Sequence, residues 1–525
     1  MDRADILSDI KKRVPDFAAR AVTQDYPDQV SIAVDRRLFA GTCLALHKSL
    51  SSPVMMLSAD DEREARGVFA VRCVFLDHKG RGWVTVCMDI PQADVSFESL
   101  ARDIYSASLF EREIREMFGI RPEGNPDVRR LHLHDEVWPE GNFPLRKDFK
   151  KMIPGSTGEY KFGRVEGDGI FEVPVGPVHA GIIGPGHFRF SVAGEPIVNL
   201  EARLGFTHRG VEKLFEGKSC SDAVRLAECV SGDSVFAHSL AFATAVEKIS
   251  GMAVSAQTAY LRSIFLELER MYNHVNDIGG MAVDVGFSFP AAFASIVKEA
   301  ILHLNETLTG SRYLKGVNMP GAISVTLDED KKRVLEESVK KLRSDCAELV
   351  KILYSTVSFM DRVDTTGVLR RKTAEDLGVV GLAGRASGIA VDLRSIFSAE
   401  YTAAGFKPAV EQPGDCLSRL KVRVAEFEES CRLIGVFADK LSSQDAPKVK
   451  TGARAGQALG YAEGWRGPVL YWLKTGASGD IERCKIVDAS FHNWQALSYA
   501  VLGDIVPDFP LCNKSFDLSY SGNDL

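Results

Sequence analysis

The sequence predicts an α+β protein in which a small N-terminal α/β sheet domain precedes a larger, mainly helical domain. Three observations support this prediction. Short segments with alternating apolar residues and β-branched side chains, typical of half-buried strands, lie within residues 1–120. A stretch rich in Gly, Pro and charge follows at 121–170. Beyond residue 170, apolar residues recur at helical spacing over long segments.

The N-terminal domain, residues 1–120, alternates strand and helix patterns. Its strand segments are short, bounded by turn residues and rich in Val, Ile and aromatic side chains, as a half-buried sheet requires. Helical patterns lie between and after the strands, at 37–49 and 98–117. The predicted strands are residues 30–34, 53–59, 68–77 and 82–90.

Residues 121–170 are predicted to be an extended segment and linker, because Gly, Pro and charged residues favour turns. A domain boundary is expected near 150–170. The remaining residues, 171–525, form the helical domain, with a short strand pattern at 187–192 and a helix bundle as its core. Its clearest helical patterns cover 255–279, 336–355 and 414–441.

Composition excludes several functions. The net charge of -7 is spread without a basic block, which argues against a nucleic-acid partner. Residues 1–14 lack the apolar core of a signal peptide. The most apolar window, 235–250, contains polar residues and is shorter than the about 20 apolar residues of a membrane span. We therefore expect a peripheral protein without a transmembrane segment, which would reach a membrane through partners.

The sequence SGDS at 231–234 places Ser231 and Ser234 three residues apart at a predicted helix start. This is the spacing at which two cysteines would share a metal, and serines there also cap helices. The ten cysteines are scattered, and no two stand in a CxxC pair. Reduced and mostly buried thiols are expected, with neither a disulfide framework nor a ligand cluster.

Ordered motifs along the chain resemble two fused subunits of respiratory complex I. LFEREIREMFGI (109–120) alone reads as an amphipathic helix with ion pairs on a solvated face. Followed by RRLHLHDEVWPEGNFPLRKDF (129–149), it resembles the C subunit of bacterial NADH-quinone oxidoreductase. Later motifs resemble the complex I D subunit and the homologous large subunit of NiFe hydrogenases: VGPVHAGIIGPGHFRF, GFTHRGVEKLFEGK, FAHSLAFATAVEKISG, LELERMYNHVNDIG, GLAGRASGIAVDLR, YAEGWRGPVLYWL and SFHNWQAL.

The fused C-D arrangement and the motif GPGHFRF are most similar to membrane-bound, energy-converting hydrogenases of the formate hydrogenlyase and hydrogenase-4 type. The resemblance implies a C-subunit-like domain followed by a large-subunit-like domain. It also implies a position on the cytoplasmic face of the membrane. The glycine runs do not form a nucleotide loop, because neither opens a helix within a βαβ unit.

The four cysteine ligands of a NiFe hydrogenase are absent. The resemblance aligns the first CxxC pair with Ser231 and Ser234 and the second with Ser519 and Gly522. A serine hydroxyl is a hard, weak ligand and glycine has no side chain, so soft Ni and Fe lack their thiolates. The nearest thiols, those of residues 229 and 512, are out of register. We therefore predict that this chain binds no metal and lacks NiFe hydrogenase activity.

Quinone chemistry is the alternative that the resemblance implies. In complex I a loop histidine and a helix-start tyrosine contact the quinone. Here His187 matches the histidine, whereas Gly232 stands at the tyrosine position. A quinone-like ligand would then be held by His187 with Ser231 or Ser234 as hydrogen-bond donor, without the phenol of complex I.

Five further residues are candidates for the cavity or for the polar region beside it. His179 is either a structural histidine on a Gly-rich turn or a cavity residue. Arg385 and Asp392 resemble residues beside the hydrogenase or quinone cavity, and their alternative is a buried salt-bridge network. Glu463 is either a proton relay or a structural carboxylate. His274 is a core histidine or part of the same polar region.

The function that the resemblance implies is a non-metal-binding, hydrogenase-large-subunit-like component that couples electron transfer to ion translocation. Expected partners are a small iron-sulfur subunit, which holds a 4Fe-4S cluster, and antiporter-like membrane subunits. No cofactor is expected on this chain itself, apart from a quinone. Two alternatives stay open: a quinone-reducing oxidoreductase subunit and a non-catalytic scaffold.

Overall fold

The computed structural model describes every residue except 1–2, 15, 151–154, 156–157, 181–182 and 442–453. The described chain has an N-terminal sheet with its helices, followed by a larger and mainly helical part. The predicted α+β fold class is therefore confirmed. Among the described helices, none is long and apolar enough to cross a membrane.

The N-terminal sheet has five strands in the order β1-β2-β5-β4-β3, with β2 and β5 parallel and the other pairs antiparallel. Helices α2 and α4 contribute apolar side chains to its core. The elements are α1 Arg3–Arg13, β1 Ala19–Tyr26, β2 Gln29–Val34, α2 Arg36–Leu50, β3 Met56–Glu62, α3 Arg63–Arg66, β4 Val68–Asp77, β5 Gly82–Pro91, β6 Ser96–Glu98, α4 Ser108–Phe118 and β7 Arg121–Glu123.

Most predicted elements of this part are confirmed, and two need correction. The strand predicted at 53–59 begins three residues later, at Met56. The helix predicted at 98–117 was wrong in its first half, because α4 begins at Ser108 after a 3₁₀ turn at Tyr105–Ala107. Residues 99–104 contain no regular element; instead Glu111 accepts hydrogen bonds from the Ser99 hydroxyl and the Leu100 amide, both at 2.6 Å.

The larger part combines long helices with two three-stranded sheets. The strands are β8 Ile170–Val175, β9 His187–Ala193, β10 Ile197–Arg203, β11 Asn318–Met319, β12 Ala322–Ile323, β13 Gly456–Glu463, β14 Pro468–Thr475 and β15 Ile481–Val487. The helices are α5 Val211–Phe215, α6 Cys220–Ala227, α7 Val235–Ser250, α8 Ala256–Asp284, α9 Ser288–Thr309, α10 Glu329–Ser355, α11 Val357–Val363, α12 Arg371–Leu377, α13 Gly381–Ala386, α14 Leu393–Phe397, α15 Ala399–Ala403, α16 Cys416–Ala438, α17 Ala489–Ala500, α18 Phe509–Phe516 and α19 Tyr520–Asp524.

Helix α8 lies at the centre of this part. Its side chains are buried on nearly all faces from Leu261 to Asp277, and it packs against α9 and α16. An interior position is unusual for a helix that carries Glu267, Glu269 and Arg270, because buried charges must be paired. This helix therefore brings a polar layer into the core.

The sheet β13-β14-β15, which is not predicted from the sequence, lies between the two cores. Alternate residues of β14 face opposite sides, as in any strand. Leu470 and Trp472 join the core of the N-terminal sheet, whereas Val469, Tyr471 and Leu473 join the helical core. The two domains are thus joined through one buried sheet.

The predicted division at residues 120 and 170 stays a prediction. The segment after β7 has no further helix or strand among its described residues until β8 begins at Ile170. The expected boundary near 150–170 falls partly on residues outside the described chain.

Candidate functional site

Ser231, Ser234, Ser519 and Gly522 come together at the meeting point of two helix N-termini. Ser231 and Ser234 lie in the turn before α7, and Ser519 and Gly522 belong to the start of α19. The hydroxyl oxygens of Ser231 and Ser519 are 2.8 Å apart, although 288 residues separate them in sequence. All three serines are buried. We call these four residues the serine cluster.

Only one of the two helices is capped by its serine. Ser519 caps α19, since its hydroxyl accepts a hydrogen bond from the Gly522 amide at 2.9 Å. Ser234 makes no such bond to α7. Instead the Glu269 carboxylate of α8 accepts the amides of Phe236 and Ala237 at 2.6 and 3.0 Å. The Ser234 side chain therefore faces the cluster and not its own helix.

Asp233 and Arg466 fix the side chains of the cluster. The Ser231 hydroxyl donates to Asp233 Oδ1 at 2.6 Å, and Arg466 Nη2 donates to Asp233 Oδ2 at the same distance. Trp465 Nε1 donates to the Ser234 hydroxyl at 3.1 Å. The segment Glu463–Arg466 of the motif YAEGWRG thus closes one side of the cluster.

The residues present do not fit a NiFe centre. Two of the four positions are joined by a direct hydrogen bond, and all the available donors are hydroxyl oxygens, which suit these metals poorly. A Cβ atom at Gly522 would lie 2.8 Å from Asp488 Cγ and 3.0 Å from the Ser519 hydroxyl. The space of a fourth ligand is therefore filled. Within the described chain, no group of His, Cys, Asp or Glu residues has the geometry of a metal site.

Asp488, which fills this space, is held by His238. His238 Nε2 lies 3.1 Å from Asp488 Oδ2, and the Tyr471 hydroxyl lies 2.9 Å from His238 Nδ1. Burial opposes the charge of Asp488, but the contact with His238 outweighs it and lowers the pKa of this carboxyl to about 2. Asp488 is therefore a permanent anion behind the serine cluster.

Two candidate histidines lie on the loop between β8 and β9. His187 begins β9, and its ring lies 5.0 Å from that of Phe162. His179 packs edge-on against Phe188 and lies 6.3 Å from the ring of Tyr520. The Nε2 atoms of both histidines are buried without a hydrogen-bond partner in the described structure. Burial lowers the pKa of His187, so its imidazole is neutral at pH 7.

Tyr520 supplies a phenol close to this loop. Its ring packs on Trp494, with 4.8 Å between ring centroids, and lies directly against Gly184 and Gly186. Its hydroxyl is buried and makes no hydrogen bond to any described residue. Burial raises the pKa of Tyr520 well above its usual value, and the nearby Asn513 acts in the opposite direction. The motif resemblance placed the phenol position at Gly232 and missed Tyr520.

Arg385, Asp392 and Glu463 form one buried ion network. Arg385 Nη1 lies 2.9 Å from Glu463 Oε1 and 3.3 Å from Asp392 Oδ2, and Arg385 Nη2 lies 2.7 Å from Glu426 Oε1. Asp392 also pairs with Arg394 at 2.7 Å. This geometry corresponds to the salt-bridge alternative. A role for these residues at a cavity stays a prediction.

Two groups at the border of this network have unusual protonation. Burial, together with the charge of Asp392, raises the pKa of Glu463 to about 7. Burial lowers the pKa of His274 to about 4, although its Nε2 lies 2.8 Å from Glu426 Oε2. His274 is therefore a neutral member of the polar layer.

Two clefts, with volumes of about 480 and 420 Å³, run along the segment after α4, and none of the four residues of the serine cluster lines them. They share an arginine-rich wall, formed by Arg112, Arg129 and Arg130. The second cleft also reaches Trp494, the residue that stacks on Tyr520.

Sequence families match both parts of the chain. Residues 32–152 match the 30 kDa subunit of respiratory-chain NADH dehydrogenase, and residues 284–454 match its 49 kDa subunit. The solved structure of the membrane-bound sulfane sulfur reductase, an archaeal respiratory membrane complex, has the same fold. Its matching chain gives a TM-score of 0.62 and 24% identity, with 68% of this chain and 98% of that chain covered.

Characterised relatives cover almost the whole chain. Formate hydrogenlyase subunit 5 of Escherichia coli (strain K12) is 33% identical over 95% of this chain and 89% of the relative. Hydrogenase-4 component G of the same organism is 32% identical over 99% and 92%. The C/D subunit of NADH-quinone oxidoreductase from Phocaeicola vulgatus is 30% identical over 71% and 76%. The chain therefore belongs to the family of fused 30 kDa-type and 49 kDa-type subunits that complex I shares with formate hydrogenlyase and hydrogenase-4.

Proposed function

We propose that the chain is the large subunit of a membrane-bound, energy-converting oxidoreductase that couples electron transfer to ion translocation without a NiFe centre of its own. One observation carries this proposal: the serine cluster is a closed, hydrogen-bonded polar group, and it occupies the four positions that the motif resemblance aligns with the NiFe ligands. The relatives named above include subunits of formate hydrogenlyase and of NADH-quinone oxidoreductase.

The proposed setting has two kinds of partner. A small iron-sulfur subunit would bring electrons to a 4Fe-4S cluster beside the serine cluster, and antiporter-like membrane subunits would move the ion. The chain would lie on the cytoplasmic face, attached through these partners. A charge arriving at the 4Fe-4S cluster would act on the buried Arg466 and Asp488 and on the partly exposed Asp233.

A second candidate function is the reduction of a quinone-like acceptor. The observation that favours it is the group of three buried polar atoms without partners at the β8–β9 loop: His179 Nε2, His187 Nε2 and the Tyr520 hydroxyl. Unpartnered buried polar atoms destabilise a fold, so their presence is typical of a ligand site. A neutral imidazole and a protonated phenol are suitable hydrogen-bond donors to a carbonyl oxygen.

The complex purified with its partner subunits distinguishes these functions. We expect no stoichiometric nickel and no hydrogen evolution, with ion uptake into proteoliposomes when the iron-sulfur subunit is reduced. Nickel bound to this chain, or hydrogen produced at it, would contradict the proposal. Full assembly and ion transport without turnover of any acceptor would instead identify a non-catalytic scaffold.

The quinone candidate predicts a specific loss in two variants. His187→Ala and Tyr520→Phe are each expected to slow quinone-dependent reoxidation of the partner's cluster about tenfold, the equivalent of one hydrogen bond of roughly 1.4 kcal/mol. Electron paramagnetic resonance of the cluster after mixing with a short-chain quinone measures this rate. Tyr499→Phe, on an exposed tyrosine, is the matched control.

Thermal unfolding distinguishes a loss of quinone binding from a loss of stability in these variants. Because the Tyr520 hydroxyl has no described partner, its removal should leave the melting temperature unchanged or raise it. An unchanged reoxidation rate in both variants would exclude the quinone candidate. A lowered melting temperature in Tyr520→Phe would show that the hydroxyl serves the fold.

A further inference from the structure

A chain of charged side chains, three of them partly exposed, leads from the serine cluster into the centre of the protein. The Ser231 hydroxyl contacts Asp233, which pairs with Arg466 at 2.6 Å. Arg466 Nη2 also lies 3.3 Å from Asp517 Oδ2. Lys514 Nζ lies 2.7 Å from Asp517 Oδ1. Each link is an ion pair or a hydrogen bond, so a change of charge beside the serine cluster is transmitted to Asp517 through Asp233 and Arg466.

Asp277 of α8 continues this chain. Lys514 Nζ lies 3.6 Å from Asp277 Oδ1, so one ammonium group bridges the carboxylates of Asp277 and Asp517. Arg423 Nε donates to Asp277 Oδ2 at 3.0 Å. Asp277 is completely buried. Arg423 Nη2 is also buried and has no hydrogen-bond partner in the described part of the chain, which leaves a free donor beside the pair.

Asp284, near the end of α8, is the next acidic residue along this face of the helix. Asp284 follows Asp277 by seven residues and therefore lies on the same face of the helix, two turns away. The aliphatic stem of Lys514 lies against Gly280, between these two positions; a Cβ atom at Gly280 would come within 2.1 Å of Lys514 Cε. Glycine at 280 thus allows Lys514 to lie along the helix. Asp284 is partly exposed to solvent.

The charges around Asp277 allow its protonation to change near neutral pH. The groups that face it are Arg423, Lys514 and Asp517, with Lys298 of α9 further away. Burial and the negative charge of Asp517 raise the pKa of Asp277 to about 7, and Lys514 and Arg466 hold the pKa of Asp517 low. The two carboxyls therefore hold one proton below about pH 7 and none above it.

We propose that Asp277, Lys514 and Asp517 form a proton-binding site that connects the serine cluster with solvent at Asp284. This inference rests on the proposed function and deepens it. An electron arriving at the partner's 4Fe-4S cluster beside the serine cluster would favour protonation of the Asp277–Asp517 pair, and its departure would favour release. The proton enters and leaves through the partly exposed carboxyl of Asp284.

Asp284 is suited to exchange protons between Asp277 and solvent, because the two carboxyls titrate at similar pH. Burial raises the pKa of its carboxyl to about 6, whereas Lys514 acts in the opposite direction. The carboxyls of Asp277 and Asp284 thus titrate within about one pH unit of each other, which keeps transfer between them nearly balanced in free energy.

Infrared titration of the full-length chain tests this site. Protonated aspartic acids absorb separately from carboxylates, and ¹³C-aspartate labelling distinguishes them from glutamic acids. We expect the aspartic acid signal to disappear in two steps, one near pH 7 from the Asp277–Asp517 pair and one near pH 6 from Asp284, and only the step near pH 7 to be absent in Asp277→Asn. Lys514→Met removes a cation that favours the charged form, so the midpoint of the step near pH 7 should rise by at least about one pH unit.

The matched control is Glu111→Gln, at a buried carboxyl of the N-terminal part whose pKa burial also raises to about 7. This variant should leave the aspartic acid band unchanged. A step near pH 7 that persists in Asp277→Asn, or a midpoint of that step unaffected by Lys514→Met, would overturn the site. Should Asp277→Asn fail to fold, the labelled parent chain and Lys514→Met still decide. Because the titration needs no electron donor, a titrating pair in a complex without ion transport would contradict the proposed function and leave the site standing.

Discussion

Replacement of Arg385 by alanine is expected to lower the free energy of unfolding by roughly 3–5 kcal/mol. The Arg385 guanidinium is completely buried and lies within 3.3 Å of three carboxylates, those of Glu426, Glu463 and Asp392. Removing one partner from a buried ion network leaves unpaired charges in a medium that solvates them poorly. Urea unfolding of the full-length chain, followed by circular dichroism, measures the loss.

The surrounding ion pairs explain why no neighbouring cation can take the place of Arg385. Glu267 is already occupied by Arg270, by Arg394 and by the Tyr401 hydroxyl, at 3.1, 3.1 and 2.6 Å. No described cation in this layer is therefore free to replace Arg385 without abandoning another carboxylate. Below about pH 7 protonation of Glu463 should remove part of the loss, because burial and the charge of Asp392 raise its pKa to about 7.

An exposed arginine gives the control. Arg371 pairs with Glu375 one turn further along α12, and both side chains are more than 40% exposed. Arg371→Ala should change the free energy of unfolding by less than about 0.5 kcal/mol. A loss below about 1 kcal/mol in Arg385→Ala, together with loss of acceptor turnover, would contradict the structural role. Arg385 would then be assigned to a cavity, as the alternative prediction holds.

The strands that the sequence predicted well are those of the N-terminal sheet with clear apolar segments. Residues 68–77 and 82–90 coincide with β4 and β5 to within one residue. The strands β13 to β15 were not predicted, because both faces of this sheet are covered and the strands lack alternation with polar residues. The edge strand β1 was missed for the opposite reason, since most of its residues are polar and exposed.

The sequence also identifies only part of the candidate site. Motif spacing could locate Ser231, Ser234, Ser519 and Gly522, since each pair is local in sequence. It could not identify Asp488 or Tyr520, because they contribute through contacts with residues far away in sequence; Asp488, for example, lies 250 positions after its partner His238. A local signal for Asp488 was absent, because a single aspartate between a strand and a helix also serves as a cap; it accepts the Ser490 amide in this way.

Cysteines placed at the four positions of the serine cluster are not expected to create a nickel site. The variant carrying Ser231→Cys, Ser234→Cys, Ser519→Cys and Gly522→Cys should bind no stoichiometric nickel. The Cβ atom at position 522 meets Asp488 Cγ at 2.8 Å, and the thiol would need still more room. Overpacking of this kind costs about 1–3 kcal/mol. Urea unfolding and metal analysis of the purified chain measure the two effects.

Two further variants test whether Asp488 is what prevents metal binding. The three serine replacements without Gly522→Cys should be more stable than the four-cysteine variant, because they leave position 522 without a Cβ atom against Asp488. Adding Asp488→Ala to the four cysteines removes the carboxylate that fills the fourth position, and four thiolates should then bind Zn²⁺ or Ni²⁺. If the four-cysteine variant already binds one nickel tightly at parental stability, the fourth position is open and Asp488 is not what prevents a metal centre.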